Sequence, residues 1–337
     1  MYVDVNSPRH IQKYLKQAAT QKGFTLLRCA HFLSPNQARN LGLSQVTTDY
    51  VVFIDNDIHV SPGWLEYLWQ CAQETSAAVV CPLICVGKPL HNRIYLAGGE
   101  ARIFMDIKDG QVRRRLHEKR FLVNRSAAAI KSNLYRCSCK FVELNCTLVR
   151  REIFDHVGFL DEKLLGTQEA MDFCIRINQI GKLMICEPAS VVTYVQQTAY
   201  HWSNLAYFML RWSDTWEVKS LIYFQQKWDL DTDSYFLHRY KQVGHRRHRE
   251  FLYPLRWLTK NPKFSWLEHL AIGLERWFNQ IITNRHARLS SIIVKMLAPI
   301  ASSPDQIIAV KQQLQQSALN RHHSTSQQLS QPHLIPH

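Results

Sequence analysis

Residues 51–57 read Val51-Val52-Phe53-Ile54-Asp55-Asn56-Asp57, an apolar run that ends in two aspartates one residue apart. The first four residues are continuous and rich in β-branched side chains, a pattern typical of a strand buried on both faces of a parallel sheet. Ligands of open α/β sheets bind outside the carboxyl ends of the strands. The sequence therefore predicts a buried strand that delivers Asp55 and Asp57 to a ligand-binding edge.

Strand and helix patterns alternate on both sides of this run. Before it, residues 2–5 and 25–28 predict strands and residues 36–43 a helix. After it, Ser61-Pro62 is a helix cap with proline at the first helical position, and residues 77–82 predict the next strand. The alternation is typical of a doubly wound α/β sheet.

The rest of the first 200 residues is less uniform. Residues 87–140 follow no regular period and predict irregular structure. Regular patterns resume with a strand over 141–149 and a helix over 168–180, and Gly181 ends that helix. A last strand is predicted from residue 183.

The aspartate pair predicts a metal site. Two carboxylates one residue apart are hard-oxygen ligands that suit Mg²⁺ or Mn²⁺. A metal there can bridge the phosphates of a nucleotide diphosphate and neutralise charge on the leaving group. Asp-x-Asp triplets are also common in solvated surface turns, which is the alternative for the triplet alone. Its place after a buried strand and before a capped helix favours the metal site.

Several blocks, in this order and spacing, resemble the signature of family-2 glycosyltransferases: residues 38–42, 49–57, 62–65, 148–162, 168–176 and 187–192. The resemblance covers about residues 1–200. It implies a glycosyltransferase-A type α/β domain with a doubly wound, mostly parallel sheet, followed by a helical extension. It also implies metal-assisted transfer of a sugar, with inversion, from a nucleotide-diphosphate donor to a glycan or lipid-linked acceptor, as in cell-surface polysaccharide biosynthesis.

The resemblance implies roles for four residues on the donor side. Asp4 matches the acidic position that contacts the nucleotide base. Arg39 matches an arginine near the nucleotide. Asp55 matches the ribose-side aspartate of the metal motif, and Asp57 matches its metal ligand.

Glu169 and Asp172 match the carboxylate motif that supplies the catalytic base. With Arg176 they lie at i, i+3 and i+7, so they share one helix face. The apolar residues of the helix can then face the core: Met171, Cys174, Ile175 and Ile180. A carboxylate near a helix N-terminus is favoured by the helix dipole and can take the proton of an acceptor hydroxyl. The alternative is a carboxylate that only stabilises the helix end.

Three departures from the family pattern affect these expectations. The family's first strand is missing ahead of residue 2, so buried backbone groups would be left unpaired at about 1–3 kcal/mol each. The 337-residue form is therefore expected to be poorly stable or inactive. Ala170 fills the second place of a motif that usually reads Glu-Asp. Tyr194 stands near the family's metal-contacting histidine, for which His201 is a nearby substitute.

Aromatic residues dominate after residue 200, where Arg211 and Trp212 are acceptor-side candidates because sugar faces stack on aromatic rings. The alternative for this stretch is core packing. The predicted domains are residues 1–200 (catalytic), 201–316 (a helical, aromatic- and basic-rich extension) and 317–337, a disordered tail rich in Gln, Ser and His.

The net charge of +14 is concentrated in residues 113–125 and 239–249. These clusters favour the donor's phosphates or a peripheral contact with anionic lipid at the inner face of the membrane, and a solvated basic face is the alternative. No nucleic acid partner is expected, because no nucleic-acid-binding motif is present. A nucleotidyltransferase is disfavoured by the lack of a glycine-rich phosphate loop near the N-terminus.

The expected location is the cytoplasm, because the chain shows neither a secretory signal nor an apolar run of spanning length. The nine cysteines are then reduced thiols, mostly in the core, and the spacing of Cys137, Cys139 and Cys146 does not fit a structural zinc site. An inactive glycosyltransferase-like protein that binds nucleotide or a partner is the main alternative to an enzyme.

Overall fold

The structure, a computed structural model, describes residues 1–195, 204–252 and 265–297. The strands are β1 (Tyr2–Val5), β2 (Leu26–Cys29), β3 (Tyr50–Ile54), β4 (Ile58–Val60), β5 (Val79–Val86), β6 (Ile94–Leu96), β7 (Gly99–Lys108), β8 (Gln111–Arg120), β9 (Cys137–Cys139), β10 (Cys146–Arg150) and β11 (Met184–Tyr194). The helices are α1 (Arg9–Lys22), α2 (Pro35–Leu43), α3 (Trp64–Thr75), α4 (Ile153–Val157), α5 (Glu169–Gln179), α6 (Leu205–Arg211), α7 (Asp214–Trp228), α8 (Ser234–Lys241), α9 (His245–Leu252) and α10 (Ser265–Leu297).

A mixed sheet with the strand order β3-β10-β5-β11-β4 forms the centre of the first domain. β5 pairs in parallel with β11, and β10 runs antiparallel between β3 and β5, so β3, β5 and β11 share one direction. β5 carries an apolar run that is buried from Val79 to Cys85, and α3 packs against it and β11. The predicted α/β class with helices on a mostly parallel set of main strands is confirmed.

β3 is an edge strand, which differs from the prediction. Within the described residues it pairs with β10 alone, while β1 and β2 form a separate two-stranded parallel sheet. Phe53 is buried, but Val51 and Val52 are half-buried and Ile54 is 47% exposed. The prediction that this run is buried on both faces is therefore wrong.

The segment predicted to be irregular contains a long β-hairpin. β7 and β8 pair from Gly99 with Arg120 to Lys108 with Gln111, without a register shift. The turn residues Asp109 and Gly110 both have positive φ, as a two-residue hairpin turn requires. β8 reads Gln-Val-Arg-Arg-Arg-Leu-His-Glu-Lys-Arg, so its many charges conceal the strand from a search for apolar alternation.

Two strand and helix predictions need smaller corrections. The strand predicted over 141–149 begins only at Cys146, because residues 142–145 form a loop that leads into β10. In the helix predicted over 168–180, Met171, Cys174 and Ile175 are buried as expected. Ile180 lies beyond the last turn of α5 and is exposed, so its predicted core position is wrong.

The C-terminal part is helical from α6 to α10. Its centre is Arg247, whose side chain is fully buried and forms ion pairs with Asp214 of α7 and Glu275 of α10. The second basic cluster is thus partly an internal ion network and not only a solvated face. The predicted domain boundary near residue 200, His201 and the tail over 317–337 lie outside the described residues.

The helices and the cysteines of the described residues bear on two of the sequence predictions. No helix there has both the length and the apolar character needed to cross a membrane. The nine cysteines are unbridged, and eight of them are buried. The expectation of reduced cysteines, mostly in the core, is met.

Candidate active site

The aspartate pair lies at the carboxyl end of β3, as predicted. The backbone N–H of Asp55 donates to the carbonyl of Asn145 at 2.8 Å, which fixes the strand end against the loop before β10. Arg39 of α2 donates through Nη2 to Asp55 Oδ1 at 3.0 Å. The structure therefore brings together the predicted arginine and the first aspartate of the pair.

Asp57 lies at the junction of β3 and β4. Its carbonyl accepts from the N–H of Val195 at 3.0 Å, next to the end of β11. Its Oδ1 atom is buried and has no hydrogen-bond partner among the described residues. Burial, together with the charge of Asp55, raises the pKa of Asp57 to about 6. A buried carboxylate oxygen in such a state suits a cation.

The aspartate pair fits a divalent metal only as part of a ligand set. Within the described ranges, no group of three or more His, Cys, Asp or Glu side chains could hold a metal ion. The described residues thus offer at most two carboxylates here. Mg²⁺ and Mn²⁺ sites that use one or two carboxylates are completed by water and by the phosphates of the ligand.

Glu169 begins α5 and faces the same region. It forms an ion pair with Arg211 at 3.4 Å, and the same arginine donates to the carbonyl of Gly166 at 2.6 Å. Tyr207 of α6 is near enough to these charged groups for them to affect its pKa. Burial raises the pKa of Tyr207, and the charges of Arg211, Asp55, Arg39 and Glu169 all act on its hydroxyl. This phenol therefore marks a common centre for the donor-side and base-side residues.

Asp172 lies on α5 but in a different environment. Its side chain is only 1% exposed, and it pairs with Arg176 at 3.0 Å and with Lys227 at 2.6 Å. The indole N–H of Trp228 donates to it at 3.0 Å. The two members of the predicted carboxylate motif are thus separated: Asp172 belongs to an ion cluster with α7, and Glu169 belongs to the site.

Asp4 is also satisfied within the protein. Its carboxylate is buried, accepts from the guanidinium of Arg28 on β2, and accepts from the N–H of Ser7 at 3.0 Å. In the described part of the chain, no hydrogen bond or ion pair connects it to Arg39, Asp55 or Asp57. The structure therefore does not bring Asp4 into contact with the other predicted donor residues.

Trp212 lies between two arginines. The guanidinium carbons of Arg211 and Arg246 are 4.7 Å and 4.2 Å from its ring centroid. Arg246 also donates to the hydroxyl of Tyr194 at 3.3 Å, and its charge lowers the pKa of Asp57 against the larger effect of burial. Tyr194 and Arg246 thus occupy the region beside Asp57 where sequence comparison expects a histidine.

A cleft of about 690 Å³ lies between the hairpin strand β8 and α8. Glu118 on its wall accepts from the hydroxyl of Tyr235 at 2.7 Å and pairs with Arg239 and Arg120. Gln168, the residue before Glu169, donates to the same Tyr235 hydroxyl at 3.3 Å. The cleft therefore adjoins the start of α5, where Glu169 lies.

Sequence reasoning missed Glu143 and Arg246. Glu143 pairs with Arg120 at 2.9 Å, and burial raises its pKa, with Glu169 and Arg39 among the charges that act on it. The available signal was an acidic residue inside the apolar stretch 141–144. Arg246 stood in a basic cluster of seven residues, and nothing in the sequence separated it from its neighbours.

Comparison with known proteins gives a family match over the first domain. Residues 1–158 match the profile described as Glycosyl transferase family 2. The pre-mycofactocin glycosyltransferase of Mycobacterium tuberculosis (strain CDC 1551 / Oshkosh) is 27% identical over 173 residues, which cover 51% of this chain and 32% of that protein. Polypeptide N-acetylgalactosaminyltransferase 12 of Mus musculus is 26% identical over 227 residues, which cover 65% and 38%. The chain thus spans about a third of the length of these relatives.

Two solved structures are also similar in part. GalNAc-T7 with UDP, GalNAc and Mn²⁺ has a TM-score of 0.44 and 15% identity, covering 75% of this chain and 50% of that one. S. aureus TarS 1-349 in complex with UDP-GlcNAc has a TM-score of 0.40 and 12% identity, covering 94% and 81%.

Proposed function

Because residues 1–158 belong to glycosyltransferase family 2 and adopt its glycosyltransferase-A fold, we propose that this chain transfers a sugar from a nucleotide-diphosphate donor to an acceptor hydroxyl with inversion at the anomeric carbon. The observation that carries the proposal is the buried Oδ1 of Asp57, which has no hydrogen-bond partner among the described residues and lies beside Asp55. Asp55 and Glu169 both raise the pKa of Tyr207 by their charge, which supports a shared site. The acceptor is a glycan or lipid-linked saccharide, and the location is the cytoplasmic side of the cell.

The donor's diphosphate lies beside Asp57 in this proposal. Asp57, with Asp55, would hold Mn²⁺ or Mg²⁺, which supplies charge neutralisation to the leaving diphosphate. Arg246 contacts Trp212 and Tyr194, and its charge lowers the pKa of Asp57, which supports a role for Arg246 in binding the donor's phosphates. Arg39 positions Asp55 for the ribose. The ion pair of Asp4 with Arg28 would hold the ends of β1 and β2 together near the base. A direct contact of Asp4 with the base would require this ion pair to open.

Glu169 is the proposed base. The acceptor oxygen attacks the anomeric carbon from the face opposite the diphosphate, the bond from that carbon to the phosphate oxygen breaks, and Glu169 takes the hydroxyl proton. Asp172 is less suited, because Arg176 and Lys227 neutralise it and it is buried. Ala170 leaves Glu169 without the usual acidic neighbour, so Glu143 and Arg211 set its electrostatic surroundings.

The acceptor is proposed to enter from the cleft between β8 and α8. The predicted acceptor platform at Trp212 is packed by Arg211 and Arg246, which leaves less ring surface for a sugar. Tyr235, by contrast, lines the cleft and bonds to the residue before Glu169. Arg211 keeps an acceptor-side role as the cation that pairs with Glu169.

Nucleotide binding tests the donor site. Thermal unfolding is measured with UDP, GDP, dTDP and CDP, each with and without Mn²⁺, on the wild type and on Asp57→Ala. One nucleotide at 100 times its dissociation constant should add about 2.7 kcal/mol of stability, with metal only, and Asp57→Ala should lose this gain. Asp109→Ala, in the exposed hairpin turn, is the control and should keep it. A folded wild type that responds to none of the four nucleotides contradicts the donor site.

A measurement of turnover distinguishes an active enzyme from an inactive glycosyltransferase-like protein. The divided sheet and Ala170 favour the inactive protein. Glu169→Gln should bind nucleotide and metal like the wild type and should lower the rate constant for sugar release or transfer by about 10²–10⁴. Nucleotide binding by a wild type that releases no sugar from any matching donor would establish the inactive protein. Equal rates for the wild type and Glu169→Gln would exclude Glu169 as the base.

A further inference from the structure

Helix α10 places polar side chains on the face that packs against the protein. Asn279 is buried and donates to the carbonyl of Met209 on α6 at 2.6 Å. Glu275 pairs with the buried Arg247, and Thr283 is buried one turn beyond Asn279. His286 bonds through Nε2 to the carbonyl of Phe32 at 3.0 Å. Polar groups therefore make several of the contacts of this helix with the rest of the protein.

The opposite face of α10 is apolar and exposed. Trp266 is 58% exposed and Trp277 is 64% exposed. Their apolar neighbours on the helix are exposed to a similar degree: Leu270, Leu274, Phe278 and Ile281. Positions 266, 270, 274, 277 and 281 recur at intervals of three and four residues, so they form one stripe about 22 Å long. Phe278 lies beside this line, and together these six exposed residues are called the apolar stripe: Trp266, Leu270, Leu274, Trp277, Phe278 and Ile281.

This distribution reverses the pattern of a surface helix in water, where the apolar face packs inward. Six large apolar side chains in one stripe form a patch that soluble monomers rarely leave in contact with water. The helix is not a spanning segment. A helix that lies in the plane of a membrane interface has this design: apolar and tryptophan side chains on one face and basic residues at its borders.

We propose that the apolar stripe inserts into the interface of an anionic lipid bilayer. Charge complementarity selects this occupant over an uncharged partner surface: the chain carries a net charge of +14, and Arg285 and Arg288 continue the line of the stripe toward the C-terminal end of α10. The acidic residues of the helix are Glu268 and Glu275, and Glu275 is neutralised by Arg247. The helix therefore presents positive charge beside apolar side chains, the combination that anionic headgroups attract.

The proposal is independent of sugar transfer and is tested by vesicle sedimentation with the full chain. Wild-type protein should sediment with vesicles of phosphatidylglycerol and phosphatidylcholine, and much less with pure phosphatidylcholine or in high salt. Leu274→Gln/Trp277→Gln should lower the partition coefficient at least about tenfold. Ile107→Gln/Val112→Gln, which removes two exposed apolar residues from the hairpin, is the matched control and should bind like the wild type. Circular dichroism and the unfolding midpoint verify that both variants fold.

Three outcomes would overturn the proposal. The wild type could fail to sediment with the anionic vesicles. The α10 variant could sediment as well as the wild type, which would exclude the stripe as the contact. Light scattering could show a wild-type dimer that the α10 variant converts to a monomer, with no vesicle binding by either. A second copy of the chain would then be the occupant of the stripe.

Discussion

Asp57 and Asp172 are both at least partly buried aspartates of the first domain, and they are treated in opposite ways. Asp172 has two cations and an indole N–H around its carboxylate. Asp57 has an acidic neighbour and an oxygen that the described residues do not bond. A carboxylate that is removed from water without a partner lowers the stability of the protein. The contacts of Asp57 with the described residues do not compensate this cost. The contrast teaches that the fold stabilises one carboxylate for itself and leaves the other to a ligand.

The largest effect is expected at the compensated carboxylate. Asp172→Ala leaves the charges of Arg176 and Lys227 without their shared partner in a buried place, so it should lower the free energy of unfolding by about 3–5 kcal/mol. Urea unfolding of the purified variant measures this. Lys227 also pairs with Asp161 at 2.7 Å, so this lysine keeps one partner in the variant. The loss of stability should therefore lie in the lower half of this range.

Asp155→Ala is the matched control for this experiment. Asp155, like Asp172, pairs with an arginine four residues away in the sequence, here Arg151 at 3.8 Å. Its side chain is 63% exposed. Exposed pairs of this kind contribute about 0–1 kcal/mol. The comparison would break if Asp172→Ala cost no more than Asp155→Ala.

A smaller effect of opposite sign is expected at the uncompensated carboxylate. Burial and the charge of Asp55 raise the pKa of Asp57 to about 6, so its negative charge opposes folding at neutral pH. Asp57→Asn should therefore raise the free energy of unfolding by roughly 1–2 kcal/mol at pH 8, after allowance for solvent screening of a carboxyl that is only partly buried. Urea unfolding without metal or nucleotide measures the gain. A loss of stability would show that Asp57 has a structural partner.

The same two aspartates show how far sequence could predict the site. The position of Asp55 and Asp57 followed from an apolar run ending in acidic residues, because the end of a strand fixes where the next side chains lie. Spacing alone put Glu169 and Asp172 on one face of α5. It could not separate them, because the cations that neutralise Asp172 include Lys227, 55 residues farther along the chain. Pairing across such distances is decided by tertiary packing.

The fold was predictable to a similar degree. The strands around residues 50–54 and 79–86 carry enough apolar residues to be predicted. The helix cap predicted at Ser61-Pro62 was wrong, because α3 begins at Trp64 after Gly63 and has no side-chain cap hydrogen bond. The β7–β8 hairpin could not be predicted from its own residues, because it is stabilised by cross-strand pairing and by contacts with α8 and its cap. These contacts include the ion pair of Arg115 with Asp233. Only its Asp109-Gly110 turn was visible in the sequence. Charged strands of this type require knowledge of what packs against them.

The smallest predicted effect is the pH dependence of the contrast. The pKa of Asp57 is about 6 in the folded protein, above the ordinary value of an unfolded aspartate. The folded state therefore binds a proton that the unfolded state does not bind between these values, and the penalty from Asp57 falls as pH falls through 6 and is gone below about 4. The stability gain of Asp57→Asn should be full at pH 8 and smaller by about 0.4 kcal/mol at pH 6, where half of the folded molecules carry the proton. Unfolding curves of both proteins at the two pH values measure the change. A gain that is equal at both would mean that Asp57 is fully ionised at pH 6 and that its pKa in the folded protein lies well below 6. The comparison with Asp172 would then lose its electrostatic basis.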